Sequence, residues 1–270
     1  MSGELSRDLS GELAEAGLRL GIDGPVATVT LARPERRNAM TGATWFGLAR
    51  IGEALPADVR VVVVRGEGSS FSSGIDLRMF EPGGVTGQGS FFEAAERAER
   101  DDEAFVRWIG EAQAGFMWLR RPEIVSIAAV QGYAIGAGFQ LALACDLRVL
   151  ADDARFCMKE PALGLVPDLT GTKPLVDIVG LPRALEICLT ARMVGADEAR
   201  ELGLAEVVVP GDKLDATVAD LTAALLAVDH GAATATKRLL QGAPGRTLQE
   251  QAQAEAREQS ARITTMFGKR

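Results

Sequence analysis

The chain has 270 residues, 47% apolar and 24% charged, a balance that fits a soluble globular protein with enough apolar material for a sizeable core. A formal net charge of -8 argues against nucleic acid or an anionic membrane as the main partner and for a small molecule. One histidine, His230, excludes a multi-histidine metal site and speaks against Ser-His-Asp or Cys-His chemistry, while Cys145, Cys157 and Cys188, without close pairing, read as reduced core residues of a cytoplasmic protein.

In chain order, residues 1–17 are polar and acidic and read as a flexible leader, with no signal-peptide pattern. No apolar run approaches the ~18 residues that a membrane helix needs. "VATVTLA" from Val26 alternates like a half-buried strand, and "VRVVVVRG" from Val59 is a β-branched strand closed by glycine. Between them "TGATWFGLARIGEAL" predicts a helix capped by Thr41. After the "GEGSSFSSGIDL" loop, residues 81–90 carry no periodicity. Phe105, Ile109, Ala112, Phe116 and Leu119 then fall on one helical face, with the aromatic residues read as core.

"IVSIAAVQG" is a strand too apolar to face water on either side, and "ACDLRVLA" is another. From Leu181 onward helical patterns dominate around a short "AEVVVP" strand. The pattern is an α/β core followed by a helical C-terminal part, without repeats of solenoid period or a break marking a second independent domain.

Two glycine-rich turns, "FSSGIDL" and "GYAIGAGF", each pass from an extended segment into a helix start. Backbone N–H groups lack intrahelical partners there, and the helix dipole favours negative charge. Brought together, two such turns would make a backbone oxyanion hole. Taken separately, each glycine is equally well explained by positive φ or close packing. Neither turn is a dinucleotide fingerprint, and no Walker A sequence is present.

These segments, with "LARPERRNAM", "EPALGLVPD" and "LTARMVGADEARELGLAEVVVP", resemble the enoyl-CoA hydratase/isomerase (crotonase) superfamily from about Val26 to Gln259. The resemblance implies an α/β fold of ClpP/crotonase type. Residues 18–195 would form a spiral of ββα units, and 196–270 a helical region for trimerisation and pocket closing. It implies a homotrimer or dimer of trimers acting on an acyl-CoA thioester, with coenzyme A part of the substrate and no separate cofactor or metal. The thioester oxygen would sit between the N–H groups of Ile75 and Ala137, beside Gly74 and Gly136. Arg33 and Arg36 would lie near the CoA phosphates, the Ser73 carbonyl would meet adenine, and Asp76 would adjoin the bound thioester. The ending "ARITTMFGKR" is shorter than the family's terminal helix, with Phe267 and Lys269 as approximate counterparts, so the adenine side is expected to be more open.

In hydratases of this family two glutamates hold and activate water. Here Glu160 matches the second, whereas Gln140 stands in the place of the first and cannot exchange protons at neutral pH. Asp168 matches an aspartate of the dienoyl-CoA isomerases, although it also reads as a helix N-cap. Asp76 reads as a cap and Asp146 as structural. The expected activity is therefore double-bond isomerisation through Glu160, with Asp168 and Gln140 as further site residues. Hydration of a 2-enoyl-CoA and a catalytically quiet acyl-CoA-binding paralogue are the alternatives.

Overall fold

The valine-rich strands bury alternate faces against different helical layers. The computed structural model describes residues 7–85, 90–98 and 101–267. Helix α1 (Arg7–Glu15) leads into the antiparallel pair β1 (Leu18–Asp23) and β2 (Val26–Leu31). Helix α2 (Gly42–Ala54) follows, its start fixed by Thr41, whose N–H donates to Thr44 Oγ1. Strand β3 (Val61–Gly66) then pairs parallel to β2. After a wide loop come α3 (Phe91–Ala98), α4 (Asp102–Met117) and β4 (Val125–Val130). The unpatterned stretch 81–90 includes residues 86–89, which lie outside the described residues.

Two short-strand units come next: β5 (Tyr133–Ile135) with α5 (Ala137–Ala144), then β6 (Leu147–Ala151) with β7 (Arg155–Cys157). Helix α6 (Thr172–Thr190) is kinked at Gly180, which has φ 74° and precedes Pro182 by two residues. Beyond it lie β8 (Val194–Gly195), α7 (Ala196–Glu201), β9 (Val207–Val209), α8 (Leu214–Leu226), α9 (His230–Gly242) and α10 (Leu248–Phe267).

The large sheet runs β1-β2-β3-β4-β6-β9, parallel from β2 onward. Val62, Val64, Ala128, Val130 and Leu150 point to the main core under α2, α4 and α5, whereas Val61, Val63, Ile127, Ala129 and Val149 face Leu214 and Val218 of α8. Burial on both faces is why "IVSIAAVQG" reads as unbroken apolar sequence. A second sheet, β5-β7-β8, is extended by the bridge between Ser72 and Ala134. The Ser72 segment, β5 and β7 each come directly after a strand of the large sheet, giving the repeated ββα spiral of the crotonase fold, whereas β8 follows α6. Phe139 of α5 stacks on Phe156 of β7 with ring centroids 4.5 Å apart, within the main core.

Two expectations change. Residues 7–17 of the supposed leader are ordered by burial of Leu9, Leu13 and Ala16 against the core, a helical spacing within an otherwise polar segment. At the other end α10 runs unbroken to Phe267, whose side chain is exposed, and Lys269 lies outside the described residues. Helix α10 packs on α9, with an Arg238–Glu258 ion pair of 3.0 Å.

Helix α9 is stapled to the sheet by one lysine. Lys237 Nζ donates to Arg121 O at 2.8 Å, Ile124 O at 2.7 Å and Asp146 Oδ2 at 2.7 Å. Asp146 also accepts from the N–H and Oγ of Ser126 at the start of β4, so its role is structural, as the sequence suggested. Burial pulls the Lys237 pKa down against the opposing pull of Asp146. Lys237→Met should destabilise the fold by about 2–3 kcal/mol, because two carbonyls lose their donor and a mostly buried carboxylate loses its cation. Urea unfolding checks this, and a midpoint equal to wild type would show the staple to be redundant.

Candidate active site

Three chain reversals, each directly after a segment of the second sheet, converge on one cavity of about 580 Å³. In the first, Met40 N–H donates to Gly74 O and Asp76 N–H to Met40 O, both spanning Ile75. Ladder alternation leaves the Ile75 N–H on the opposite side, and no acceptor among the described residues takes it. Gly74 has φ 91°, and a Cβ there would lie 2.6 Å from Ile135 O. Only glycine lets the first turn approach the second this closely.

In the second turn, Gly136 donates to Cys157 O and Ala137 opens α5. The Ala137 N–H is a first-turn donor and likewise has no acceptor among the described residues. Ile75 and Ala137 both line the cavity. Two unpaired N–H groups from touching turns can hold an oxygen that gains negative charge.

The third reversal brings in Glu160 after β7. A Cβ on Gly136, whose φ is 50°, would lie 3.1 Å from Glu160 Oε1, so the carboxylate sits against the turn that presents Ala137. Glu160 is 9% exposed. Its Oε1 accepts from Gln140 Nε2 at 2.7 Å, while Oε2 is buried without a partner. Burial pushes the Glu160 pKa up, outweighing the Gln140 hydrogen bond, and the charge of Asp168 adds to the rise. Asp168 lines the same cavity, and burial raises its pKa too. It does not cap α6, whose N-cap position is Gly171. Two carboxyl groups with raised pKa values thus line the same cavity as two amides that have no acceptor among the described residues.

Gln140 differs from its expected place as a site residue. It is fully buried behind Glu160 and does not line the cavity. Arg33 is also diverted: Nη1 donates to Ala39 O at 2.6 Å and Nη2 pairs with Asp76 at 3.0 Å, and it too is absent from the cavity wall. Asp76 lines the wall but is occupied. It accepts from the Arg78 N–H at the start of the short 3-10 helix Leu77–Phe80, as a cap does. Side-chain bonds from Arg78, with help from Arg33, hold its carboxyl well below the usual carboxylate range.

Exposed Arg36 and half-buried Ser73 do line the cavity, and the sequence reading missed Lys159, which lines it too. Its position next to Glu160 in "MKEPALG" was the available signal. The aromatic residues of α4 divide between two roles. Phe116 is core, but Phe105 lines the cavity and stacks on Trp108 at 5.7 Å, because the first turns of α4 pass beneath the wide loop. Trp45 and Phe91, each edge-on to Trp108, complete an aromatic wall opposite the carboxylates.

Residues 21–267 match the sequence profile of the enoyl-CoA hydratase/isomerase family. The chain belongs to this family. Among enoyl-CoA hydratase/isomerase relatives, the peroxisomal Delta(3,5)-Delta(2,4)-dienoyl-CoA isomerase of Arabidopsis thaliana is 32% identical, with 83% of this chain and 80% of that protein aligned. The mitochondrial Delta(3,5)-Delta(2,4)-dienoyl-CoA isomerase of Rattus norvegicus is 36% identical over 68% of this chain and 56% of its own length. A candidate enoyl-CoA hydratase from Thermobifida fusca YX, solved in complex with acetoacetyl-CoA, is 57% identical. It superposes with a TM-score of 0.90 over 95% of this chain and 98% of that one.

Burial of Glu160 carries a stability consequence. Its folded pKa lies above the unfolded value, so its contribution to stability is full below the unfolded value and is lost as pH rises through the folded one. Glu160→Gln removes this loss while keeping an oxygen for Gln140 to donate to. Its melting temperature should exceed wild type at about pH 8, with the gain fading towards about pH 4. Calorimetry across that range would refute the burial effect if the gain were flat or reversed.

Proposed function

We propose that this enoyl-CoA hydratase/isomerase family member shifts a carbon–carbon double bond along an acyl-CoA thioester. The thioester carbonyl oxygen lies between the N–H groups of Ile75 and Ala137, and Glu160 Oε2 takes a proton from the carbon beside that carbonyl. The C–H electron pair moves towards the carbonyl, and the oxygen gains negative charge where the two donors meet it. Protonation farther along the chain, from Asp168 or from Glu160 itself, completes the shift, so one proton leaves and one returns. No separate cofactor is invoked, because coenzyme A arrives as part of the substrate. Arg36 and Lys159 at the mouth suit its phosphates, and the aromatic wall suits the unsaturated chain.

One observation carries the choice of isomerisation: the side chain at 140 is an amide bonded to Glu160 and to the 169–171 backbone and absent from the cavity wall, which Glu160 and Asp168 both line with raised pKa values. Water addition in this family recruits two acids, one of them at the position of Gln140; the dienoyl-CoA isomerases have an acid there too, but a double-bond shift can run on one. Hydration is the second reading, favoured by the 57% identical Thermobifida relative, with Asp168 then standing in as the second acid. Assembly as a homotrimer or dimer of trimers is supported by exposed Leu181, Leu185 and Leu189, spaced along one face of α6.

Incubation with 2-enoyl-, 3-enoyl- and 3,5-dienoyl-CoA distinguishes these readings. Migration of the double bond into conjugation creates thioester absorbance, hydration bleaches the 2-enoyl band, and a quiet paralogue binds without either change. Glu160→Gln should lower turnover at least ~10²-fold while thioester affinity, measured by calorimetry, stays within about threefold. Asp168→Asn should lower the rate of migration more than that of binding. Full turnover in both variants would refute the assigned proton path.

A further inference from the structure

We propose that Gln140 is a positioning residue whose amide clamps Glu160 and the loop carrying Asp168, leaving one oxygen of Glu160 free for proton transfer. Both polar atoms of its side chain face these two segments. Nε2 donates to Glu160 Oε1 at 2.7 Å, and Oε1 accepts the N–H of Leu169 at 2.9 Å and of Gly171 at 3.2 Å. Thr170 lies between those two N–H groups with φ 69°, a left-handed conformation that a β-branched residue rarely adopts. The loop is held from its other side by Gln113 Nε2, which donates to Asp168 O at 2.7 Å. Gly171 leaves room for the clamp, since a Cβ there would come within 2.6 Å of Gln140 Cγ.

At neutral pH this place demands both a donor and an acceptor. A glutamate would satisfy the two N–H groups but could donate to Glu160 only by holding a proton. An apolar side chain would satisfy neither side. The amide is thus matched to its surroundings, and Gln140 is not merely the remnant of a lost acid. With Oε1 engaged, Glu160 Oε2 is left without a hydrogen-bond partner beside a cavity that Glu160 lines. The titratable and charged groups around Glu160 are Asp168 across the cavity, Lys159 on its own turn, Cys157 at the end of β7 and Cys188 on α6.

The inference rests on the isomerase reading only for its activity readout. Gln140→Glu keeps the acceptor for Leu169 and Gly171, so the loop retains its support, but places two carboxylates in contact. Such a pair shares one proton and titrates as a unit. The acid limb of the kcat/KM profile should move up by about one pH unit or more, with kcat at pH 7 lowered and KM within about threefold of wild type. Gln140→Leu should move the limb in the same direction and also lower the melting temperature, because two N–H groups lose their acceptor.

A second readout needs no turnover: the carbon-13 carboxyl titration of Glu160 in the full-length protein, assigned by its loss in Glu160→Gln. A raised titration in Gln140→Glu supports the clamp even if no enoyl-CoA is converted, an outcome that would sink only the isomerase reading. A wild-type titration and pH profile in Gln140→Glu would overturn the clamp whatever the activity. So would a gain of hydration with the Glu160 titration unmoved.

Discussion

Two main-chain N–H groups without acceptors among the described residues are the constraint around which this molecule is arranged. An unpaired backbone donor beside a buried cavity is unfavourable, and protein interiors avoid it. Here the Ile75 and Ala137 amides stay unpaired because strand alternation turns one away from Met40 and a helix start leaves the other without an intrahelical partner. Gly74 brings the two turns into contact, where any side chain would strike Ile135 O. The donors are therefore set before any ligand arrives, the condition under which electrostatic stabilisation is most effective.

The fold supplies this arrangement by repetition. Consecutive ββα units place a short segment in the second sheet, and the chain reverses directly after it: at Gly74, at Gly136 and around Glu160. The same structural step thus delivers the first amide, then the second, then the carboxylate. A large sheet packed on both faces fixes the spacing between steps, and the stack of Phe139 on Phe156 ties α5 to β7. Small shifts of the core would therefore be felt directly at the cavity.

Family membership fixes the chemical theme, and the carboxylates narrow it. Glu160 and Asp168 are both pushed towards neutral pH by burial, which suits groups that must take up and release a proton. Gln140 stabilises the ionised form of Glu160 and so restrains that rise. In the proposed isomerisation, an amide donor behind Glu160 and the carboxyl of Asp168 on the same cavity form a one-plus-one proton system, different in kind from two acids gripping a water.

The amino-acid sequence alone determined β2, β3, β4, β6 and β9, the helices α2 and α4, the family and the two glycine turns, because apolar β-branched runs, helical spacing and glycine's freedom at positive φ are local properties, whereas β1 and the short strands β5, β7 and β8 were not legible. Glu160 was legible from its motif. Tertiary structure decided what its neighbours do. Arg33 faces Asp76, Asp168 faces the cavity and does not cap α6, Phe105 walls the pocket, and α1 docks through Leu9 and Leu13. Gln140 in the sequence is an amide where an acid was expected; only the folding of residues 160 and 169–171 around it supplies the partners that give an amide its use. Composition and spacing carry no record of such partners, since hydrogen bonds between side chains and loops twenty or more residues apart form only when the sheets have stacked.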